Sequence, residues 1–92
     1  MSARYTLATT PTVRRQLAER LPQGVAFAIY EFINGPLLDN PHRVGHRLDP
    51  PMADRHSARR GGFRVIYRID DENLVVTVVD ADRRGDVYQY HS

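Results

Sequence analysis

Polar and apolar positions change period twice along this chain, and the changes mark its elements. Between Arg4 and Thr9, Tyr5 and Leu7 alternate with polar or small neighbours, which predicts a short strand. Thr10-Pro11 follows, an N-cap hydroxyl ahead of a proline in the first helical position, where its missing N–H is no loss. Val13, Leu17 and Leu21 then recur every four residues, with Arg14, Arg15 and Glu19 between them, predicting an amphipathic helix of about three turns. Pro22 interrupts it and can open a second helix, because Val25, Ile29, Phe32 and Ile33 keep helical spacing beside Ala26 and Ala28. Gly35-Pro36 ends that helix. The pair forms a helical hairpin, the layer that a single sheet needs over its apolar face. From Leu37 to Asp54 no period is sustained. Asn40-Pro41, Gly45 and Asp49-Pro50-Pro51 predict a loop there, ordered by itself or by a partner.

In Arg55 to Asp70 the period falls to two, and Gly61-Gly62 interrupts it. That pair predicts a two-residue hairpin turn of type I′, which needs positive φ at both central positions. Such a turn pairs Arg60 with Phe63, Arg59 with Arg64, Ser57 with Ile66 and Arg55 with Arg68. One face then carries Arg55, Ser57, Arg59, Arg64, Ile66 and Arg68; the other carries Ala58, Phe63, Val65 and Tyr67 and meets the helices. A second turn in Asp70-Asp71-Glu72-Asn73 leads into a valine-rich strand, Leu74 to Arg83. Pairing Ile69 with Leu74 sets Val79 opposite Arg64, puts Val76 and Val78 in the core and brings Arg83 to the Arg64 face. The expected fold class is α+β: a small antiparallel β-sheet packed on an N-terminal helical hairpin, in a single domain over residues 1–92.

Composition narrows the classes of function. With 41% apolar and 26% charged residues the chain is an ordinary globular one. No apolar run approaches the ~20 residues that cross a bilayer, and the N-terminus lacks the basic-then-apolar pattern of a signal peptide. The absence of cysteine excludes a disulfide framework and thiolate metal sites, and suits a cytoplasmic location. The formal charge is only +2, but all thirteen basic residues are arginine. Arginine offers a planar fork of donors that matches phosphate oxygens, and it stays protonated, so it stabilises charge and makes a poor acid or base. Between His42 and Arg68 stand Arg43, Arg47, Arg55, Arg59, Arg60, Arg64 and Arg68 against Asp49 and Asp54.

Opposed cations such as Arg59/Arg64 repel each other, and a row of them loses stability unless an anion is usually present. Against the plain alternative of a solvated face, this favours a polyanion partner, nucleic acid or an acidic protein segment. His42, His46, His56 and His91 lack the spacing of a metal site. Asp80 and Asp82 are expected to pair with neighbouring arginines. Tyr88 and Tyr90 are either a packed strand edge or functional.

The run Ser57-Ala58-Arg59-Arg60-Gly61-Gly62-Phe63-Arg64-Val65-Ile66-Tyr67-Arg68-Ile69-Asp70, the valine-rich strand, Asp82-Arg83-Arg84 and Asp86-Val87-Tyr88 together resemble the RelE toxins of bacterial toxin–antitoxin systems. Gly35 to Gly45 is similar to the corresponding loop of actinobacterial members. The resemblance implies a RelE-like, microbial-ribonuclease-like domain that enters the ribosomal A site and cleaves mRNA by attack of a ribose 2′-hydroxyl on its phosphate. It implies no cofactor and no metal, no membrane, and a hetero-oligomer with a RelB-like antitoxin. The family's catalytic set maps onto Arg64 and Arg83, which stabilise charge, and Tyr88, which moves a proton. Arg43, Arg47, Arg55, Ser57, Arg59 and Arg68 are the RNA-binding candidates. Two lysines of the family pattern fall at Arg55 and Ser57; the second position loses its charge unless Arg59 supplies it from the same face. With no lysine, His46 and His56 are the substitutes left for proton transfer, and parity puts His56 on the wrong face. Two other readings compete: a ParE-like gyrase poison, which typically lacks the arginine and tyrosine set, and a catalytically weak antitoxin-binding homologue.

Overall fold

The first helix starts as its sequence requires. The Thr10 hydroxyl accepts the Val13 N–H at 3.2 Å, and Pro11 occupies the first turn of α1, Pro11–Arg15. In the computed structural model, which describes residues 4–83, α1 runs on through Gln16–Arg20 as a wider turn closed by Leu21 N–H on the Gln16 carbonyl at 3.0 Å. Helix α2, Gln23–Asn34, buries Ala26, Ile29, Phe32 and Ile33, the stripe that its spacing predicts. A further single turn, α3, Pro36–Asp39, lies where the sequence reads as loop, and it buries Leu37 and Leu38. One turn is too short to show a period.

The strands are β1 Thr6–Thr9, β2 His46–Arg47, β3 His56–Arg60, β4 Phe63–Asp70 and β5 Val75–Arg83, in the order β1-β5-β4-β3-β2. The sheet is mixed where a wholly antiparallel one was expected, because β1 runs parallel to β5, Thr6 opposite Val75 through Thr9 opposite Val78. The helices following β1 act as a crossover, so the first strand is free to join β5 in parallel. One sheet face, with Val65, Tyr67, Val76, Val78 and Ala81, packs on Val13, Ile29, Ile33 and Leu37 in a single core.

The first hairpin keeps the expected register, with Arg60 opposite Phe63, Arg59 opposite Arg64 and Ser57 opposite Ile66. Positive φ occurs at Gly61 alone of the two glycines, at +41°, the signature of a type II′ rather than a type I′ turn; both span two residues, so the pairing is unchanged. Arg55 stands before β3 and does not pair with Arg68. Its N–H donates to the Met52 carbonyl, and its carbonyl accepts the Leu48 N–H.

The second hairpin departs further. Its four-residue loop sits one position later than expected, Asp71 to Leu74, because the Asp70 carboxylate ends the strand by accepting the Glu72 and Asn73 N–H groups at 3.0 Å each. Leu74 closes the turn at φ +56°. Ile69 therefore pairs with Val76, not Leu74, a slip of two that leaves the faces unchanged. A β-bulge then intervenes: Tyr67 faces Val78 while Ile66 faces Asp80, so Val79 is the extra residue. The bulge inverts parity beyond it. Arg64 faces Asp82 rather than Val79, and Arg83 faces Phe63 rather than joining the Arg64 face.

A buried tyrosine ties the loop to the sheet. Tyr67 is fully buried and donates its hydroxyl to the Pro41 carbonyl at 2.7 Å. Gly45 passes so close that a Cβ there would lie 2.5 Å from both the Ser57 carbonyl oxygen and the Tyr67 hydroxyl. This approach seats β2 against β3. His56 stacks on Tyr67 with ring centroids 5.6 Å apart, and His42 meets His56 edge-on at 5.7 Å. His42 is held by Asp71 at 2.9 Å, and Asp71 also accepts the Tyr5 hydroxyl. Burial, then the charges of His42, Arg47 and His46, hold the His56 pKa below its ordinary 6.5.

Two measurements check this packing. Gly45→Ala should lower the unfolding free energy by about 1–3 kcal/mol in urea titrations, whereas Gly24→Ala in α2, whose Cβ would meet nothing within 4 Å, should raise it slightly. Equal effects would refute the close approach. Because folded His56 takes up its proton at lower pH than the unfolded chain, its contribution is complete above about pH 6.5 and is lost as pH falls through its folded value. Stability should therefore decline from pH 6.5 downward, and His56→Phe should flatten that part of the curve.

Candidate nucleic-acid interface

The sheet face away from the helices is assembled by register, since directly paired residues share a face. Across the strands one row reads His46, Ser57, Ile66, Asp80, and the next reads Arg59, Arg64, Asp82. Arg68 stands on the same face two residues beyond Ile66, opposite Thr77. The opposed pair Arg59/Arg64 is thus real, and Asp82 flanks Arg64 on its other side.

That flanking acid does not neutralise it. The ion pairs among the described residues are Arg4–Asp39, His42–Asp71 and Arg55–Asp54. Asp82 instead accepts the backbone N–H of Arg83 at 2.7 Å, and Asp80 accepts the Gln16 side-chain amide at 3.0 Å. Arg64 is half-buried, and its Nε is inaccessible to solvent and has no hydrogen-bond partner among the described residues. An unsatisfied buried donor costs roughly 1–3 kcal/mol, and the guanidinium of Arg59 across the strand adds like-charge repulsion. An anion on this face relieves both penalties. The Arg55 Nε is also unsatisfied, 3.9 Å from the Asp54 carboxylate.

The remaining candidates are dispersed. Arg83 ends β5 at the same end of the sheet as Arg64, with the parity of the helix-side face. Arg47 pairs with His56 and so shares that side as well. Arg43 lies exposed in the turn after α3, where its N–H donates to the Asn40 carbonyl. Tyr88 lies outside the described residues, as do Tyr90 and His91. Arg60, the other arginine of the hairpin, is structural. It lies 4.8 Å above the Phe32 ring centroid and donates to the Arg59 and Val44 carbonyls, clamping the turn to α2 and the loop.

The structure brings Arg59, Arg64, Ser57 and Arg68 onto one face and adds His46 beside Ser57. The place of His46 has no signal in local pattern, since a two-residue strand shows no alternation. Gly45 is its only trace in the sequence, and the need for glycine there arises from contacts with Ser57 and Tyr67. A cationic row next to an imidazole can bind phosphate oxygens, stabilise charge on them and exchange a proton nearby.

No protein-family model matches the chain. It is 46% identical over 85 residues to Toxin RelE of Mycobacterium tuberculosis, spanning 92% of this chain and 87% of that protein. It is 44% identical over 85 residues to Toxin RelG of the same organism, spanning 92% and 97%. Among solved structures it matches a chain of the toxin–antitoxin complex RelBE2 from Mycobacterium tuberculosis with a TM-score of 0.85 and 43% identity, over 89% of this chain and 100% of the other. The isolated RelE toxin of E. coli shares the fold, with a TM-score of 0.69 at 21% identity over 97% and 95% of the two chains. With identity above two in five sustained over nearly its whole length, and the same sheet and helices beneath it, the chain belongs to the RelE toxin family.

Proposed function

We propose that this chain is the toxin of a type II toxin–antitoxin pair: an endoribonuclease that cleaves mRNA in the ribosomal A site and is neutralised by a RelB-like antitoxin in a hetero-oligomeric complex. The observation that carries the reading is Arg64, a half-buried cation with an unsatisfied donor and a second cation, Arg59, directly opposite. A free protein gains nothing from that arrangement, and a bound phosphodiester supplies the missing acceptor. Family membership supports nuclease-type activity in general and a RelB-like partner, since the RelBE2 toxin is matched within a toxin–antitoxin complex. Action on ribosomes places the protein in the cytoplasm, and no helix of the described residues is long and apolar enough to cross a membrane.

The reaction is an in-line displacement in which the ribose 2′-oxygen attacks the adjacent phosphorus and the 5′-oxygen leaves. Negative charge grows on the non-bridging oxygens, and a fixed donor aimed there is worth roughly 10²–10³ in rate. Arg64 takes this role, with Arg83 reaching the phosphate from the end of β5 and Tyr88 protonating the leaving oxygen. Arg59, Arg68 and Arg55 hold the RNA along the sheet, whereas Ser57, expected from the sequence to join them, lies on that face but is buried; Arg43 and Arg47 hold it where it passes the β2 edge.

Expression without antitoxin should stop amino-acid incorporation first, with new mRNA 5′ ends mapping inside translated codons. Continued protein synthesis with arrested DNA replication would sink this reading in favour of gyrase poisoning, and arrest without cleavage would favour a binding-only homologue. Arg64→Ala should lower cleavage by about 10²–10³ without loss of thermal stability, because the substitution removes an unsatisfied donor; a destabilised variant would contradict that account. Arg83→Ala should abolish toxicity in a folded protein. Affinity for single-stranded RNA should fall with salt at a log–log slope near −0.7 per phosphate contact, and a flat response would exclude the arginine face as the docking surface.

A further inference from the structure

We infer that His46 is the general base of this site, its imidazole taking the proton from the attacking ribose 2′-hydroxyl. The inference rests on the endoribonuclease reading and adds a residue to it. The chain has neither lysine nor cysteine, and arginine does not give up its proton. On the outer face of the described sheet the other side chains with exchangeable protons are arginines, Ser57, Thr6, Thr77 and the carboxylates of Asp70, Asp80 and Asp82. Asp70 is tied to the Glu72 and Asn73 N–H groups, Asp80 to Gln16 and Asp82 to the Arg83 N–H. Imidazole is the side chain that ordinarily exchanges protons near neutrality, and of the histidines on described residues His46 is the one on this face. His42 and His56 lie on the helix side, held by Asp71 and Tyr67.

The position is built. His46 pairs with Ser57, which pairs with Ile66, one row from Arg59 and Arg64. Neighbouring strands lie about 4.8 Å apart, so His46 and Arg64 are two strands apart with Arg59 on the strand between them, and an RNA laid across this row passes the β2 edge. Three contacts converge to seat a strand of only two residues: the Tyr67 hydroxyl on the Pro41 carbonyl, the close approach of Gly45 to Ser57, and Leu48 N–H on the Arg55 carbonyl at 2.9 Å. Yet His46 itself is exposed and makes no hydrogen bond among the described residues, which leaves both ring nitrogens open to a substrate. In the step, the His46 nitrogen accepts the 2′-proton as the O2′–P bond forms and the P–O5′ bond breaks. The leaving oxygen takes a proton from water. The products are a 2′,3′-cyclic phosphate and a 5′-hydroxyl, and the imidazolium returns its proton to the solvent.

The test is single-turnover cleavage by the full-length toxin on ribosomes programmed with a defined mRNA. His46→Ala should lose about 10²–10⁴ in the rate at saturating ribosome complex, with the half-saturating concentration unchanged, and free imidazole should restore part of that rate in His46→Ala but none in Arg64→Ala. If His46→Ala cleaves at the wild-type rate, loses only affinity, or is slow and indifferent to imidazole, the assignment is overturned while the endoribonuclease reading stands. If the wild-type protein leaves ribosome-bound mRNA intact, that reading fails and the assignment goes with it.

Discussion

The hydrogen bond from the Tyr67 hydroxyl to the Pro41 carbonyl is the contact on which the site depends. A phenol at the centre of β4 carries a polar end into the core, and leaving it without an acceptor would cost roughly 1–3 kcal/mol. The acceptor comes from the loop after α3, 26 residues earlier in the chain. Burial pushes the Tyr67 pKa up to about 12, so the group remains a donor at any physiological pH and the tie does not titrate. Once the loop is held at Pro41, Gly45 lies against Ser57 and Tyr67, and the next residue is the first of β2. A core requirement thereby fixes what stands at the edge of the candidate face.

The bulge at Val79 makes the second decision. It shifts β5 by one residue against β4, which turns Asp80 and Asp82 outward and Ala81 inward. Because β1 has ended at Thr9, this stretch of β5 has no neighbouring strand on that side, and Gln16 stands in for one: its Oε1 accepts the Ala81 N–H at 3.1 Å while its amide donates to Asp80. The widened turn of α1 begins at that glutamine. An exposed edge is thus closed by a side chain, and Asp80 is held away from Arg64. The arginine pair keeps its unsatisfied donor because the acids beside it are engaged elsewhere.

What could be read from sequence divides along the same line. The Gly61-Gly62 hairpin, the two helices and the opposition of Arg59 to Arg64 are encoded within a few residues each, in turn chemistry, caps and alternation, and the structure reproduces them. The parallel pairing of β1, the bulge and the seat of β2 are set by contacts between residues far apart in the chain. Alternation carries from a turn to the first irregularity and no further, so it gives the face of Arg64 and misses that of Arg83, four residues past the bulge. Of the candidate site, the charge-binding half lay in one local hairpin and was legible; the seat of His46 depended on Tyr67 and Pro41.

The absence of lysine gives this division a chemical meaning. In a site built from lysines, the same side chains hold phosphate and carry protons, so binding and chemistry titrate together. Here the binding groups are arginines, whose charge does not change across the working range of pH. On the proposed reading, a change of charge near neutrality on this face then belongs to the imidazole and not to the arginines. The two tasks are, on that reading, separated in space, with the cations of the candidate face on β3 and β4 and the imidazole on β2, and the Gly45 approach is what joins those strands.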